Sequence, residues 1–352
     1  MKTLLIIGAI AGAGSIVVAD TTSFPSYETE VSRLDAEIAA IEERLQTAPR
    51  SSLDHEKASI AFEERARLTG GFADYASAES LLVRAFELAP AGAGPFLTRA
   101  TLHYTMHRFD EVEADLAIFE TKLLLNTRER AAIAGLRGDV AMQAGDFSKA
   151  EAFYRESIRL RKDMKSLARL AMLRSRMEQW DEAELLYRQA SLAYHGARAY
   201  PKAWLLLQRA RNARHRGDIE SALSLCDAAD RAFPGWWITD VERAEVLVAR
   251  GDVREGMTLL RAATAERERP ELERRLAALC RQLADEGASQ DYDRQARKHE
   301  RRAAMIDLQW AAVFPETVHA HGANGHAHGH AHEHAHSHGP HAGHSGHSGH
   351  TH

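Results

Sequence analysis

The sequence is poor in β-strand signals and in the residues that break helices. Only nine of its 352 residues are proline, and almost no stretch between residues 51 and 312 alternates apolar and polar side chains. Runs of good helix formers fill the same region. A glycine-rich phosphate loop needs a strand before it and is therefore excluded. The sequence predicts an all-α protein.

The sequence has no large excess of positive or negative charge, and it contains no recognisable catalytic motif. The formal net charge of −5, with histidine neutral, gives no field strong enough to attract nucleic acid or an anionic membrane. No nucleophile–base arrangement and no pair of carboxylates at a useful spacing can be identified. We therefore expect neither an enzyme nor a nucleic-acid-binding protein, and no organic cofactor.

Cysteine is almost absent, since Cys226 and Cys280 are the only two in the chain. An oxidising compartment would allow them to form a disulfide. Both, however, occupy apolar positions of helical patterns and are separated by more than one helical hairpin. We expect buried free thiols, with a disulfide as the alternative.

The N-terminal residues Met-Lys-Thr precede a short apolar run, LLIIGAIAGAGSIVVAD. Val17 and Ala19 are small residues where a signal peptidase prefers them, so the pattern predicts a signal peptide over 1–19, cleaved between Ala19 and Asp20. The alternative is an uncleaved anchor, although about 16 residues is short for a membrane span. No cysteine follows that could carry a lipid. We expect a periplasmic or secreted protein with no membrane span after cleavage.

A pattern of small and large side chains recurs along the middle of the chain. Each copy has a small residue, a turn seven positions later, a second small residue after five more, and then a large or apolar one. The copies are 136–160, 170–194, 207–234 and 241–266. The four kinds of position hold, in order, Gly138, Ala171, Ala210 and Ala244; Gly145, Glu178, Gly217 and Gly251; Ala150, Ala183, Ala222 and Gly256; and Tyr154, Tyr187, Cys226 and Leu260.

This pattern resembles the tetratricopeptide repeat, a family whose unit of about 34 residues folds into two antiparallel helices. The small residues let the two helices approach, and the large residue fills the space one turn later. Glycine between the helices tolerates a positive φ. Weaker copies at 74–90 and 99–119 bring the total to about six, within residues 51–268. The resemblance implies an α-solenoid of about six helical hairpins.

Helical segments flank the predicted repeats. Residues 20–50 hold a linker and a helix with an apolar stripe about two heptads long, formed by Val31, Leu34, Ile38, Ile41 and Leu45. So short a stripe favours a helix that caps the solenoid over a dimer seam, and we expect a monomer. Helices near 271–286 and 289–311 are predicted to cap the other end, within residues 269–312.

In the resembling family, the first helix of each repeat lines a concave groove that holds a peptide or a partner helix. The matching positions here form a basic, partly apolar strip suited to an acidic peptide of an unidentified partner protein. The alternative is that its arginines are ordinary solvated residues. The predicted groove residues are Lys165, Met172, Arg176, Trp204, Leu207, Arg211, Arg214 and His215.

A pair of histidines also has a spacing that metal sites use. His103 and His107 are four residues apart on a predicted helix and would share a face. Because no third ligand can be identified nearby, we expect an exposed pair without a metal.

The C-terminal segment 313–352 contains 14 of the 20 histidines, spread among glycine, alanine and serine. This composition predicts disorder. Neutral imidazole suits Zn, Ni and Cu, and the tail has enough nitrogens for about three or four exchangeable ions. The candidate ligands are His319, His321, His326, His328, His330, His332, His334, His336, His338, His341, His344, His347, His350 and His352.

Together these features predict an exported scaffold or adaptor that binds a partner protein and carries a tail that reversibly binds divalent transition metal. Such a protein would act as a metal buffer or a metallochaperone-like accessory. One alternative is a plain envelope scaffold whose tail is incidental. Another is an accessory subunit that donates metal to a single apo-enzyme.

Overall fold

The computed structural model describes residues 26–121, 124–265, 267–289 and 291–311. The predicted signal peptide and the predicted histidine-rich tail lie outside these residues. The described residues form fifteen α-helices: α1 Tyr27–Thr47, α2 Ser52–Thr69, α3 Ala73–Leu88, α4 Phe96–Thr105, α5 Phe109–Glu120, α6 Thr127–Gln143, α7 Phe147–Leu160, α8 Met164–Arg176, α9 Trp180–Leu192, α10 Tyr200–His215, α11 Ile219–Ala232, α12 Trp237–Arg250, α13 Val253–Ala265, α14 Pro270–Asp285 and α15 Asp291–Trp310.

After α1, the helices pack in consecutive pairs. The pairs α2–α3, α4–α5, α6–α7, α8–α9, α10–α11 and α12–α13 are six hairpins, and α14–α15 is a seventh. Each hairpin also packs against the next one along the chain, which is the arrangement of an α-solenoid. The prediction of an all-α solenoid of about six hairpins with flanking helices is confirmed. The two helices predicted to cap the C-terminal end are themselves a hairpin of the same kind.

Every hairpin turn contains one residue in the left-handed region of backbone space. These residues are Gly70, His107, Gly145, Glu178, Gly217, Gly251 and Gly287. Five are glycine, which adopts a positive φ without steric cost, whereas His107 and Glu178 have a β-carbon and are strained. The pattern of the sequence placed the turn correctly in the four copies from Gly145 to Gly251.

The small residues of the repeat lie where the two helices of a hairpin touch. Ala171, Ala210 and Ala244 are completely buried on the first helices of three hairpins. In α6 the position is Gly138, and a β-carbon there would overlap the ring of Tyr154. The large residue therefore occupies space that the small residue leaves, as the sequence predicted.

Helix α1 covers part of the solenoid with the apolar stripe that the sequence showed. Leu34, Ile38 and Ile41 are buried within the chain. Ile38 and Ile41 pack with Ala58 of α2, and Leu34 belongs to a core that reaches the fifth, sixth and seventh hairpins. The stripe is covered by its own chain and is not a dimer seam.

The solenoid turns back on itself, so that its first hairpin contacts its last three. The indole nitrogens of Trp236 and Trp237 both donate hydrogen bonds to the carbonyl oxygen of Leu68, at 3.4 and 3.0 Å. The guanidinium of Arg198 pairs with Glu30 of α1 and Glu64 of α2, at 2.7 and 2.9 Å. We call these the closure contacts. They join residues more than 130 positions apart in the sequence.

Aromatic side chains extend the closure contacts to the seventh hairpin. The guanidinium carbon of Arg269 lies 4.9 Å from the ring centre of Phe72, within the range of a cation–π interaction. Trp310, at the end of α15, meets the same ring edge-on at 5.3 Å. The turn between α2 and α3 is therefore contacted by Trp237 of α12, by Arg269 at the start of α14 and by Trp310 of α15.

Both cysteines are buried free thiols. Burial raises the pKa of the Cys226 thiol to about 12, so this sulfur stays protonated and unreactive at neutral pH.

Candidate functional site: the inner surface of the solenoid

The inner surface is the face that the first helices of the hairpins turn towards the interior of the solenoid. Two of the apolar groove residues prove to be packing residues. Leu207 is only 1% exposed and lies in the main core, so the prediction that it contacts a partner is wrong. Trp204 is partly buried between that core and the core of the fourth hairpin. The hydrophobic face of α10 packs against neighbouring hairpins, so its apolar side chains stabilise the solenoid and do not line a groove.

The predicted arginines of α10 are already paired. Arg211 and Arg214 both reach Glu242 of α12, at 3.0 and 3.3 Å, and the Glu242 side chain is 2% exposed. The two guanidinium groups hold the pKa of Glu242 below its usual range, although burial alone would raise it. The prediction that these arginines are free for an acidic peptide is therefore wrong, because they bind a buried carboxylate of the next hairpin.

Three other predicted residues lie at the edge of this packing. The imidazole of His215 stacks on the indole of Trp180, with ring centres 5.2 Å apart and an interplanar angle of 3°. Met172 packs between the cores of the third and fourth hairpins. Arg176 is partly buried, and its charge acts on the hydroxyl of Tyr104 on α4.

Lys165 is the predicted groove residue that remains available to a ligand. It is the second residue of α8 and is exposed. Among the described residues, no hydrogen bond or ion pair engages its ammonium group. Partial burial, Arg169 and Arg67 lower its pKa from the ordinary lysine value, in that order of size. Lys165 is thus a solvent-accessible cation surrounded by other cations.

Arg169, one turn along α8, was missed by the sequence reasoning. Its guanidinium binds Asp139 of α6, with Nη2 at 2.8 Å, and the same carboxylate accepts a hydrogen bond from Tyr154 Oη at 2.9 Å. A β-carbon on Gly135 would overlap Arg169 Nη1. Glycine at this position lets the guanidinium lie against the backbone of α6.

Arg67, from the first hairpin, adds a third positive charge that acts on Lys165. It lies near the C-terminal end of α2, and its Nε is 3.8 Å from Glu63. Its charge acts on Lys165 of the fourth hairpin and on Tyr200 of the fifth. This charge acts on residues far away in the sequence because the closure contacts bring the first hairpin near the later ones.

The charges of this surface are unevenly compensated. Arg169 has Asp139 as partner and Arg67 has Glu63, whereas Lys165 has only the more distant influence of Asp163. Such a surface favours an anion, because the ammonium of Lys165 has no ion-pair partner among the described residues and lies in the positive field of Arg169 and Arg67.

The histidine pair is not arranged as the sequence suggested. Helix α4 ends at Thr105, and His107 lies in the following turn with φ of 62°, stacked on Phe109 with ring centres 5.9 Å apart. His103 is not exposed: its side chain is 12% accessible, and its Nδ1 lies 3.1 Å from Asp115 Oδ2. The two imidazoles do not share a helical face because the helix has ended between them.

The described residues contain neither a cluster of metal ligands nor a membrane-spanning helix. Among the residues that the structure describes, no group of three or more histidine, cysteine, aspartate or glutamate residues is placed to hold a metal ion. None of the helices in that part of the chain combines the length and the apolarity needed to cross a bilayer. The predicted metal ligands from His319 to His352 lie beyond Ala311, outside the described residues.

Comparison with known proteins gives likenesses of structure and none of sequence. No protein-family model matches the chain, and no curated protein sequence matches it. A chain of the APC/C hetero-tetramer Cut9–Hcn1 is similar in structure, with a TM-score of 0.50 and 13% identity over 79% of this chain. This chain spans 46% of that protein, less than half of its length.

Two bacterial proteins are also similar in structure. A tetratricopeptide repeat protein from Parabacteroides merdae has a TM-score of 0.47 and 18% identity, over 73% of this chain and 98% of its own. PilF from Pseudomonas aeruginosa has a TM-score of 0.36 and 18% identity, over 62% of this chain and 91% of its own. At these identities structural likeness shows the fold alone. The geometry of the hairpins, together with the likeness to the Cut9–Hcn1 chain, establishes the fold as an α-solenoid of helical hairpins.

Proposed function

We propose that this protein is a non-catalytic scaffold that binds an acidic segment of a partner protein at its inner surface. The observation that carries the proposal is Lys165, an accessible cation without a compensating carboxylate among the described residues. Solenoids of helical hairpins present extended concave surfaces on which such segments bind. The surface offered here is smaller than the whole strip of groove residues, since Leu207, Arg211 and Arg214 serve the fold.

We further propose that the C-terminal tail binds Zn, Ni or Cu reversibly, so that the scaffold carries metal to its partner or buffers it there. The support is the sequence: 14 histidines follow residue 318, separated by one or two residues over most of that length. Imidazoles spaced this closely along a chain can supply several nitrogens to one ion without a preformed site. Ordering the chain costs about 1–2 kcal/mol per residue, which favours moderate affinity and ready exchange. Export to the periplasm or the medium remains part of the proposal.

Calorimetric titration with Zn, Ni and Cu tests the metal half of this proposal. The full chain should take up about three or four ions, and a chain that ends at residue 315 should take up none. Equal uptake by both chains would overturn the role of the tail. The scaffold alone would then remain, as the alternative of an incidental tail states.

A second experiment separates a general metal buffer from a donor to one enzyme. The full chain and the chain ending at residue 315 are each used to capture partners, with and without metal. One partner retained by the full chain only when metal is present favours donation to that protein. Equal capture of the same partner by both chains favours a scaffold whose tail acts independently.

A further inference from the structure

Helix α15 is buried along one side and open to solvent along the other. Its buried residues are Ala296, Ala303 and Ile306, and α14 is the one described helix against which it packs extensively. Since no further hairpin follows among the described residues, the open side of α15 is an end surface of the solenoid.

The open side carries a single line of exposed side chains. Each member lies two positions from a buried residue, which is about half a turn around the helix. Successive members are four or three positions apart, so they follow one line along the helix. We call this line, with Arg297 beside it, the terminal stripe; its members are Arg294, Lys298, Arg301, Met305 and Leu308.

The first half of the terminal stripe is cationic. Arg297, Lys298 and Arg301 are exposed, and none of them forms an ion pair with another described residue. Arg294 is paired with Asp291. Three uncompensated cations therefore lie within about one turn of the helix.

The acidic residues of α15 do not cancel this charge, because most of them are paired elsewhere. Asp291 binds Arg294, Glu300 binds Arg281 and Asp307 binds Arg274. Arg302 and His299 both lie against Glu273 of α14. Asp293 is exposed one turn before Arg297 and has no ion pair among the described residues. Three cations against this one carboxylate leave an excess of two positive charges.

The second half of the terminal stripe is apolar. Met305 and Leu308 are 61% and 75% exposed. Side chains three positions apart on a helix are neighbours, so the two form one patch that loses its contact with water when a partner covers it. Over a length of about 21 Å, the terminal stripe therefore changes from positive to apolar.

We infer that the terminal stripe docks a helix of a partner protein, and that the exposed stripe of this helix is acidic at one end and apolar at the other. Spacing by four and three positions is that of side chains that interlock between two packed helices. Acidic side chains of the partner complement the three cations, and its apolar side chains cover Met305 and Leu308.

Two other occupants fit the terminal stripe less well. In a pair with a second copy of α15, the cations face cations when the helices are parallel, and they face Met305 and Leu308 when the helices are antiparallel. A helix that lies on a membrane has apolar side chains along the whole face that it buries. Here the apolar side chains occupy only half of the exposed line.

The terminal stripe is separate from the inner surface and close to the tail in sequence. His319, the first of the predicted metal ligands, is eleven positions after Leu308, so at most about 40 Å of chain separates the two. If the tail binds metal as proposed above, a partner docked on α15 is within its reach. The docking itself requires neither the inner surface nor the metal.

Fluorescence anisotropy with two labelled helical peptides and the full chain tests the inference. Both peptides have the same composition, with glutamate and leucine along one stripe. In the segregated peptide the glutamates and the leucines occupy opposite halves, whereas in the mixed peptide they alternate. The segregated peptide should bind about tenfold more tightly at low ionic strength, and added salt should weaken its binding because the cations are exposed.

Two variants of the terminal stripe have matched controls on exposed positions of α7 and α9. Lys298→Glu should weaken binding of the segregated peptide about tenfold or more, because it sets like charges against each other. Leu308→Gln should weaken it about fivefold, because less apolar surface is buried. The controls Lys149→Glu and Leu192→Gln should bind within about twofold of the original chain. Thermal unfolding shows that all four variants are folded.

Five outcomes would overturn the inference, and each leaves the inner surface and the tail as proposed. Equal binding of the segregated and mixed peptides would show that the change from positive to apolar is not recognised. Unchanged binding by Lys298→Glu and Leu308→Gln would place the peptide elsewhere. Peptide binding only by a chain that ends at residue 311 would assign the surface to the segment that follows α15.

The last two outcomes identify the other occupants. A dimer in sedimentation experiments that Leu308→Gln abolishes would assign the terminal stripe to a second copy. Binding to equimolar phosphatidylcholine–phosphatidylserine vesicles that Lys298→Glu abolishes, without binding of the segregated peptide, would assign it to a membrane.

Discussion

The indole nitrogen of Trp237 donates a hydrogen bond to the carbonyl oxygen of Leu68 at 3.0 Å. This bond joins the sixth hairpin to the first across 169 positions of sequence. The carbonyl belongs to the last turn of α2 and has no acceptor role inside the helix. Together with the ion pairs of Arg198, this bond joins the first hairpin to later ones.

We expect Trp237→Ala to open the solenoid. The substitution removes both the hydrogen bond and a ring that is almost fully buried, at a cost of about 3–5 kcal/mol. Chemical denaturation should show this loss, and small-angle scattering should show a larger radius of gyration. Trp237→Phe is the matched control, since it keeps a ring and loses about 1 kcal/mol of hydrogen bonding. A Trp237→Ala variant with unchanged stability and unchanged radius would contradict the closed arrangement.

We expect Glu242→Gln to destabilise the protein by about 3–5 kcal/mol, because it leaves Arg211 and Arg214 without their buried counter-charge. Glu255 is the matched control, since its carboxylate is 65% exposed and 3.9 Å from Arg250. Glu255→Gln should change the free energy of unfolding by no more than about 0.5 kcal/mol. Equal effects of the two substitutions in urea titrations would show that the buried pair has no special importance.

The same carboxylate predicts a pH dependence of stability. The two arginines lower the pKa of Glu242 in the folded state, so below the unfolded value, about 4.3, the unfolded chain binds a proton that the folded chain excludes. Its contribution is therefore fully present above that value and is lost as the pH falls through the folded pKa. The free energy of unfolding, measured from about pH 6 down to about pH 3, should fall less steeply in Glu242→Gln than in the original chain. Identical slopes would contradict this assignment.

The hairpin turns allow a test of backbone strain. Glu178 has φ of 58°, so Glu178→Gly should stabilise the protein by about 0.5–1 kcal/mol. Gly145→Ala is the converse change: a β-carbon there meets no atom within 4 Å, so only the backbone penalty of about 1 kcal/mol applies. Thermal unfolding of both variants measures the two effects. Shifts of the same sign would show that the turn conformation is not responsible.

The close contact between the two helices of the third hairpin predicts that adding a side chain there lowers the stability by overpacking. A β-carbon on Gly138 overlaps the ring of Tyr154, which is completely buried and bound to Asp139. The ring cannot move aside without breaking that bond, so Gly138→Ala should cost about 1–3 kcal/mol. Gly217→Ala, in an open turn, should lose only the backbone term. Calorimetric unfolding that finds Gly138→Ala neutral would contradict this tight packing.

The structure of a single hairpin was predictable because it depends on residues that are close together in the sequence. The turn residues Gly145 and Gly217 and the small residue Gly138 follow from conformational and packing demands within a single hairpin. The same reasoning was not applied at His107, although the repeat contains the signal: Ala100 is the buried small residue of α4, and the turn follows seven positions later. It could not find the contact of Trp237 with Leu68, since nothing in either segment specifies its distant partner.

The error about the inner surface had a detectable signal. Arg211 lies 31 positions before Glu242, and Arg169 lies 30 positions after Asp139. These separations are close to one repeat, so arginine and carboxylate fall on first helices of adjacent hairpins. Opposite charges one repeat apart in the sequence predict ion pairs between adjacent hairpins. This pattern assigns Arg211 to a pair with Glu242, and Asp139 to a pair with Arg169. Lys165 has no such partner, which is why it remains a candidate for binding.

In the proposed function, the scaffold carries exchangeable metal on its C-terminal histidines. Its most direct test is the metal content per chain, by elemental analysis, of protein isolated from metal-replete cells as the full chain and as a chain ending at residue 315. We expect about three or four ions of Zn, Ni or Cu on the full chain and none on the shortened one. A metal-free full chain, or equal metal on both chains, would contradict it.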